Sequence, residues 1–113
     1  MQNTINFSDF KEIDIRVGTI IEAKENNTLK KPAIILKIDF GESIGIKKSS
    51  AQLKANYQVD ELINMQVAAV INFEPKQIGN IISEVLVLGF PDNDYEPILI
   101  SPLSKVKNGG KLY

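Results

Sequence analysis

The chain of 113 residues predicts an all-β fold: a small barrel of five main strands interrupted by one short helical segment. Three observations carry that prediction. Apolar and polar residues alternate at period two from Ile13 to Lys24 and again from Ala33 to Phe40. Two runs rich in β-branched residues, Gln66–Phe73 and Ile82–Phe90, flank a polar loop that holds Pro75, Lys76 and Gly79. Helical spacing over any length is confined to Ala51–Met65.

Taken in order, Phe7–Ile13 reads as a single helical turn with Ser8 as its cap and Phe7 and Phe10 on one side. The first strand follows, with Ile13, Ile15, Val17, Thr19, Ile21 and Ala23 on one face, and Gly18 marks a bend or bulge within it. Glu25–Pro32 is polar and turn-rich, a loop to the second strand, whose Ile34, Leu36, Ile38 and Phe40 share a face. Ile44–Ser50 is the third strand, with Lys47 and Lys48 in its polar second half. Leu53, Tyr57, Leu62 and Met65 then place one or two short helices, the second closed by Asn64, which tolerates the left-handed conformation helix ends need. Strands four and five are the two runs around the polar loop. Strand five is apolar on both faces, so its outer side requires a cover. Ile98–Ile100 is a short sixth strand, and Ser101 onward is a tail. The reading is one domain over 1–113, with a core of about 12–90 and extensions at 1–11 and 91–113.

Composition narrows the chemistry. With no Cys and no His, disulfides, zinc fingers and imidazole catalysis are all excluded. No cofactor is expected. No carboxylate spacing resembles a calcium loop, so no metal is expected either. Lys47 with Ser49, or Lys48 with Ser50, contains the ingredients of a Ser/Lys dyad, but solvated strand residues explain them better, and a non-enzymatic protein is expected. Met1–Phe7 lacks the basic start and apolar run of a signal peptide, and no stretch is apolar for long enough to cross a membrane. A cytoplasmic protein without membrane insertion is expected. The net charge is -1, yet Lys30, Lys31, Lys37, Lys47, Lys48 and Lys54 face only Asp39 and Glu42 in that stretch, a local excess of four positive charges.

Two stretches carry a family resemblance. Asp14-Ile15-Arg16-Val17-Gly18-Thr19-Ile20, and Asn72-Phe73-x-Pro75-Lys76 followed by Gly79 and Ser83-Glu84, resemble signatures of the tRNA-binding OB domain. That domain occurs free or appended to methionyl- and phenylalanyl-tRNA synthetases, and the resemblance is strongest to its small free-standing, export-related chaperone members. It covers Asp14 to about Gly89, and the tail also resembles those members. Val85-Leu86 stands where the family has Gly-Met, and Asn64 where it usually has Gly. The resemblance implies an OB-fold barrel with the helical segment between strands three and four.

Binding of looped or single-stranded RNA is the first functional expectation, because OB folds grip a nucleic-acid backbone on strands two and three between flanking loops. Lys37, Lys47 and Lys48 are expected on that face, with Lys30, Lys31 and Lys76 in the loops. Asn72, Gln77, Asn80 and Ser83 offer directional polar contacts. By resemblance, Lys76, Ser83 and Glu84 occupy positions where the family contacts tRNA. No Trp is present and the face shows no aromatic for stacking, so weak, shape-reading and salt-sensitive binding is expected. These lysines and the hairpin should converge on one open wall.

The surplus of apolar side chains raises the second expectation. Phe7, Phe10, Leu112 and Tyr113 at the ends, with Ile78, Ile81, Ile82, Leu86 and Leu88 in and before strand five, either fold back over the barrel or pack a homodimer. The dimer is the preferred reading, as the resemblance implies. The alternative function is a chaperone holding unfolded or precursor polypeptides in apolar pockets beside the dimer seam.

Overall fold

The computed structural model describes residues 3–28 and 30–113. Met1 and Gln2, which begin the expected N-terminal extension, and Leu29 in the first loop lie outside the described residues. The elements in chain order are α1 (Phe7–Glu12), β1 (Ile15–Asn26), β2 (Ala33–Asp39), β3 (Ile46–Ala51), α2 (Val59–Leu62), β4 (Gln66–Val70), β5 (Lys76–Ile78), β6 (Ile81–Ser83), β7 (Leu86–Val87), β8 (Gly89–Pro91) and β9 (Pro97–Leu99). A five-stranded sheet in the order β3-β2-β1-β4-β7 is strongly curled into the half-barrel of an OB fold, with β5-β6 and β8-β9 as separate hairpins.

The long β1 makes the curl possible because it serves two neighbours. Ile15–Thr19 pairs with β4, and Thr19–Asn26 pairs with β2. The register slips between Ile20 and Glu22, so the bulge sits at Ile21 rather than at Gly18. Gly18 has another task. A Cβ there would lie 2.6 Å from Cγ2 of Ile38 and 2.7 Å from Cδ1 of Phe40, so its bare backbone is what lets β2 cross close above it. Alternation in β2 puts Ile34, Leu36, Ile38 and then Phe40 in the core, joined by Ile20, Val67, Ala69 and Val85. Leu53 and Leu62 complete this core from the segment between β3 and β4. Full burial of one such side chain contributes about 1.5–3 kcal/mol.

The helical segment is shorter than its sequence span suggested. Only a turn around Leu53–Tyr57 and the four-residue α2 form, and Asn64 does take the left-handed conformation at φ 73°. Its N–H and the carbonyl of Met65 bond the backbone of Ile20, which docks the segment on β1. In α1 the cap is Asn6 rather than Ser8, with the Asp9 carboxylate accepting the Asn6 N–H at 3.1 Å.

Strand four stops at Val70, three residues before Phe73, because Asn72 replaces backbone pairing with its side chain. Its Oδ1 accepts the Asp14 N–H at 3.0 Å, and its Nδ2 donates to the Glu12 carbonyl at 2.8 Å. Strand five is not continuous either. It divides into β6, β7 and β8, because the chain leaves β6 to close against β3 and then returns, at Leu88, to bond Ala68 and Ile100.

The C-terminal extension folds back in cis. Over Ile15–Gly18 one edge of β1 has no strand neighbour, since β2 joins only at Thr19. Residues 109–112 take that edge, with Gly109 N–H on Val17 O, Val17 N–H on Gly110 O and Leu112 N–H on Ile15 O. Arg16 reinforces it. Its Nε pairs with Asp14 Oδ1 at 2.6 Å while its Nη1 donates to Gly109 O at 2.9 Å. The buried Gln66 amide bonds Val106 in both directions and reaches Asn108.

Candidate nucleic-acid interface

The outer face of β1, β2 and β3 can be read row by row from the register. Glu22, Lys37 and Lys48 form one row, and Lys24, Ile35 and Ser50 the next. Lys37 meets Glu22 at 3.2 Å, which leaves Lys24 and Lys48 as the cations of this face with no carboxylate within 4 Å among the described residues. Lys47 is not among them. It pairs with Ile38, whose side chain is in the core, and so lies half-buried in the inward row of Ile20 and Ile38. The expected trio of Lys37, Lys47 and Lys48 is therefore divided, because adjacent residues in a strand point to opposite faces.

The β5–β6 hairpin extends this wall beyond β3. β6 lies between β5 and β3, and Lys76 stands opposite Ser83. Ser83 Oγ accepts the Ser50 N–H at 3.0 Å and donates to Val85 O. Glu84 N–H donates to Lys48 O at 2.8 Å, and its Oε1 accepts the Lys48 N–H at 2.9 Å. The buried Ser49 hydroxyl adds a bond to Val85 O. The hairpin that carries the exposed Lys76 is thus bonded to β3 beside Lys48, through the side chains of Ser83 and Glu84.

The remaining amides also have partners within the chain. Asn80 Oδ1 accepts from Asn26 Nδ2 at 3.1 Å, which ties the hairpin tip to the start of the β1–β2 loop. Gln77 Nε2 donates to Gly79 O. Asn72 holds α1 to the end of β4 through Asp14 and Glu12. In the β1–β2 loop Lys30 is exposed and Lys31 approaches Glu96 at 4.0 Å, while Lys54, after β3, bonds Glu25 of β1 at 2.9 Å. That last bond holds the Glu25 carboxyl below its ordinary range.

The apolar candidates separate into two places. Phe7, Phe10, Leu112 and Tyr113 meet around Lys11 and Lys111 in a depression of about 350 Å³, continuous through Leu112 and Tyr113 with a groove of about 480 Å³ floored by Ile15, Val17, Ala68 and Ile100. Ile78, Leu86 and Leu88 line a different cavity, about 360 Å³, against β3 and the β8–β9 turn. Ile81 is half-buried in β6 and Ile82 is exposed. Two features escaped the sequence reading. Lys24 was legible in the period-two pattern, on the same face as Glu22. The exposed rings of Phe73, Phe90 and Tyr95 sit in turns and on a short hairpin, where no periodicity marks them.

Residues 15–111 match the family model described as "Putative tRNA binding domain". The crystal structure of the chaperone CsaA from Bacillus anthracis superposes with a TM-score of 0.90 at 42% identity, covering 98% of this chain and 100% of that one. CsaA from Picrophilus torridus superposes at 0.89 with 50% identity, covering 97% and 100%. The methionine–tRNA ligase of Pyrococcus abyssi is 35% identical over 108 residues, which is 96% of this chain but 14% of the ligase. The chain thus spans about one seventh of the curated relatives it matches. A strongly curled sheet, the Asp14–Arg16 clip and the Ser83–Glu84 closure accompany that match, and the chain belongs to the tRNA-binding domain family, sharing its plan with the CsaA chaperones.

Proposed function

We propose that the protein is a non-enzymatic tRNA-binding protein that grips the RNA backbone on the wall formed by β1–β3 and the β5–β6 hairpin. Membership of the tRNA-binding family over residues 15–111 carries the reading. Lys24 and Lys48 on the outer face of the sheet, the exposed Lys76 on the hairpin bonded to β3 and Lys30 in the neighbouring loop support it by supplying solvated cations. Contacts of this kind position phosphates and read shape, since the polar amides nearby are bonded within the chain. The reading sets the protein in the cytoplasm, where tRNA is met. No helix is long and apolar enough to cross a membrane among the described residues.

Titrating unfractionated tRNA between about 50 and 200 mM salt tests this. Affinity should fall steeply with salt, and Lys48→Ala with Lys76→Ala should reduce the logarithmic slope by about one for each phosphate no longer neutralised. A slope that the double substitution leaves unchanged would remove both lysines from the interface.

A second activity is favoured by a separate surface. The groove over Ile15, Val17 and Ala68 runs into the exposed Phe7, Leu112 and Tyr113, with Leu103 also fully exposed. We infer that a second copy packs there, giving a homodimer through the terminal extensions, with the remaining groove open to unfolded polypeptide segments. The likeness to two CsaA chaperones supports this. Light scattering that returned a monomer at micromolar concentration would exclude the dimer.

A further inference from the structure

The cavity of about 360 Å³ between β3, the β5–β6 hairpin, β7 and the β8–β9 turn shares no lining residue with the terminal groove. Its most buried lining residues are Ala33 and Leu53, and its rim carries Lys31, Gln52, Tyr95 and Glu96. It is apolar enough to accept a flat uncharged ring and edged by groups that can hydrogen-bond one. Resting on the tRNA-binding reading, we propose that this cavity receives one unpaired base of the bound RNA, stacked on Tyr95 with its polar edge toward Gln52 and Ser50.

The conformation of Tyr95 is an independent observation. It has φ 63°, a left-handed value that Gly or Asn adopts at less cost than a bulky ring, and it is 86% exposed. The turn holding it is over-determined. Asp92 Oδ1 accepts the N–H groups of Asp94 and Glu96 at 2.8 and 3.0 Å, and Asp92 Oδ2 accepts from Asn56 Nδ2 at 2.9 Å. The Asp92 N–H also bonds Glu96 O, and the Tyr95 N–H bonds Asp92 O. The hydrogen bonds to its side chain, that from Asn56 foremost, hold the Asp92 carboxyl below its ordinary range. A strained residue fixed by its surroundings, with its ring delivered to solvent at the lip of a cavity, is a recurrent mark of a ligand clamp.

The chemistry of the rim selects a nucleobase over the other apolar occupant, a polypeptide side chain. Gln52 is exposed on the rim, and its amide offers both donors and an acceptor, as the edge of a splayed-out base requires. Asp92, Asp94 and Glu96 make the turn acidic, which repels phosphate but not a neutral base, and Lys31 stands on the same rim, 4.0 Å from Glu96. The cavity also adjoins the wall directly. Ser50 lines it and shares a row with Lys24, and Ile78 lines it from the hairpin that carries Lys76.

The test compares wild type with Tyr95→Asn, Tyr95→Phe and Gln52→Ala. Asn keeps the tolerance for positive φ, so the turn survives while the ring is lost. The probes are unfractionated tRNA, a single-stranded RNA hexamer and the same hexamer with abasic riboses. Tyr95→Asn should weaken tRNA and hexamer binding by about 5- to 100-fold, the range expected for losing one stacked base. Its salt slope should not change, Tyr95→Phe should bind as wild type does, and the abasic hexamer should not distinguish the variants. Gln52→Ala should weaken the hexamer without affecting its abasic form. Wild type that binds tRNA with strong salt dependence while Tyr95→Asn binds it equally well would overturn the base pocket and leave the RNA reading standing. Wild type that fails to bind tRNA would remove both. An equal loss on the abasic hexamer, or a loss confined to capture of an unfolded polypeptide, would also overturn the proposal, the latter by giving the cavity to peptide side chains.

Discussion

The curled sheet is closed at two edges by different chemistry. At β3 the closing partner is Ser83–Val85, and side chains do much of the bonding: the Ser83 and Ser49 hydroxyls and the Glu84 carboxylate all cross the seam. At the start of β1 the closing partner is the tail, and there backbone groups of residues 109–112 pair with Ile15 and Val17 as a strand would. A seam built of side chains depends on which residues are present. One built of backbone accepts many sequences, provided the chain can approach closely enough. The family's polar signature at Ser83–Glu84 and its Asp14–Arg16 signature therefore have a shared structural role at opposite edges, since Asp14 orients the guanidinium that holds the Gly109 carbonyl.

The tail closure should break most completely at Gly109. Its φ is 93°, and a Cβ would stand 2.6 Å from the Phe40 carbonyl oxygen, so Gly109→Ala combines an unfavourable backbone conformation with overpacking against main chain. We expect a loss of roughly 2–5 kcal/mol in urea unfolding. An unmoved midpoint would mean that the tail does not close β1 in cis. The seam should respond less to a single change. Ser83→Ala removes the acceptor for the Ser50 N–H on the half-buried hydrogen-bonded edge of β3, and should cost about 1–3 kcal/mol. A loss near zero would show that water replaces the hydroxyl and that the seam is looser than its bonds suggest.

The same contrast explains what could be read in the chain. Periodicity in β2 named the core, because a strand with one buried face writes its inward residues at every second position, whereas in β1 the bulge broke that rule: Ile20, expected on the face opposite Ile13 and Ile21, is buried in the core, and Ile13 and Ile21 are exposed. Ile34, Leu36, Ile38 and Phe40 are all where that rule puts them. The left-handed Asn64 was legible for the same local reason. The site was harder to read. Asn72, Ser83 and Glu84 are polar residues in turn-rich sequence, and nothing local distinguishes a polar group facing a ligand from one bonded to a strand far away in sequence. Lys47 and Lys48 show the limit from the other side. Their neighbourhood in sequence suggested one basic cluster, whereas the register sends them to different faces. Tyr95 left no trace at all, since its significance lies in a turn conformation fixed by Asp92.

The finest probe of the seam separates structure from binding at Glu84. Its Oε1 accepts the Lys48 N–H, and a Gln side chain in the same place retains a carbonyl oxygen to do so, which makes Glu84→Gln nearly neutral for folding. The substitution also removes one negative charge beside Lys48, the cation of the outer row. If Glu84 serves only the seam, tRNA affinity should rise about two- to five-fold at low salt, the size of one unit-charge interaction near a solvated surface. The gain should fade as salt screens it. If Glu84 instead accepts hydrogen bonds from the RNA, as its place in the family signature suggests, the amide should bind more weakly than the carboxylate at every salt concentration. Measuring both stability and affinity on this one variant therefore decides which edge of the molecule the signature was written for: a loss of affinity with unchanged stability assigns Glu84 to the ligand, and a gain with unchanged stability assigns it to the barrel.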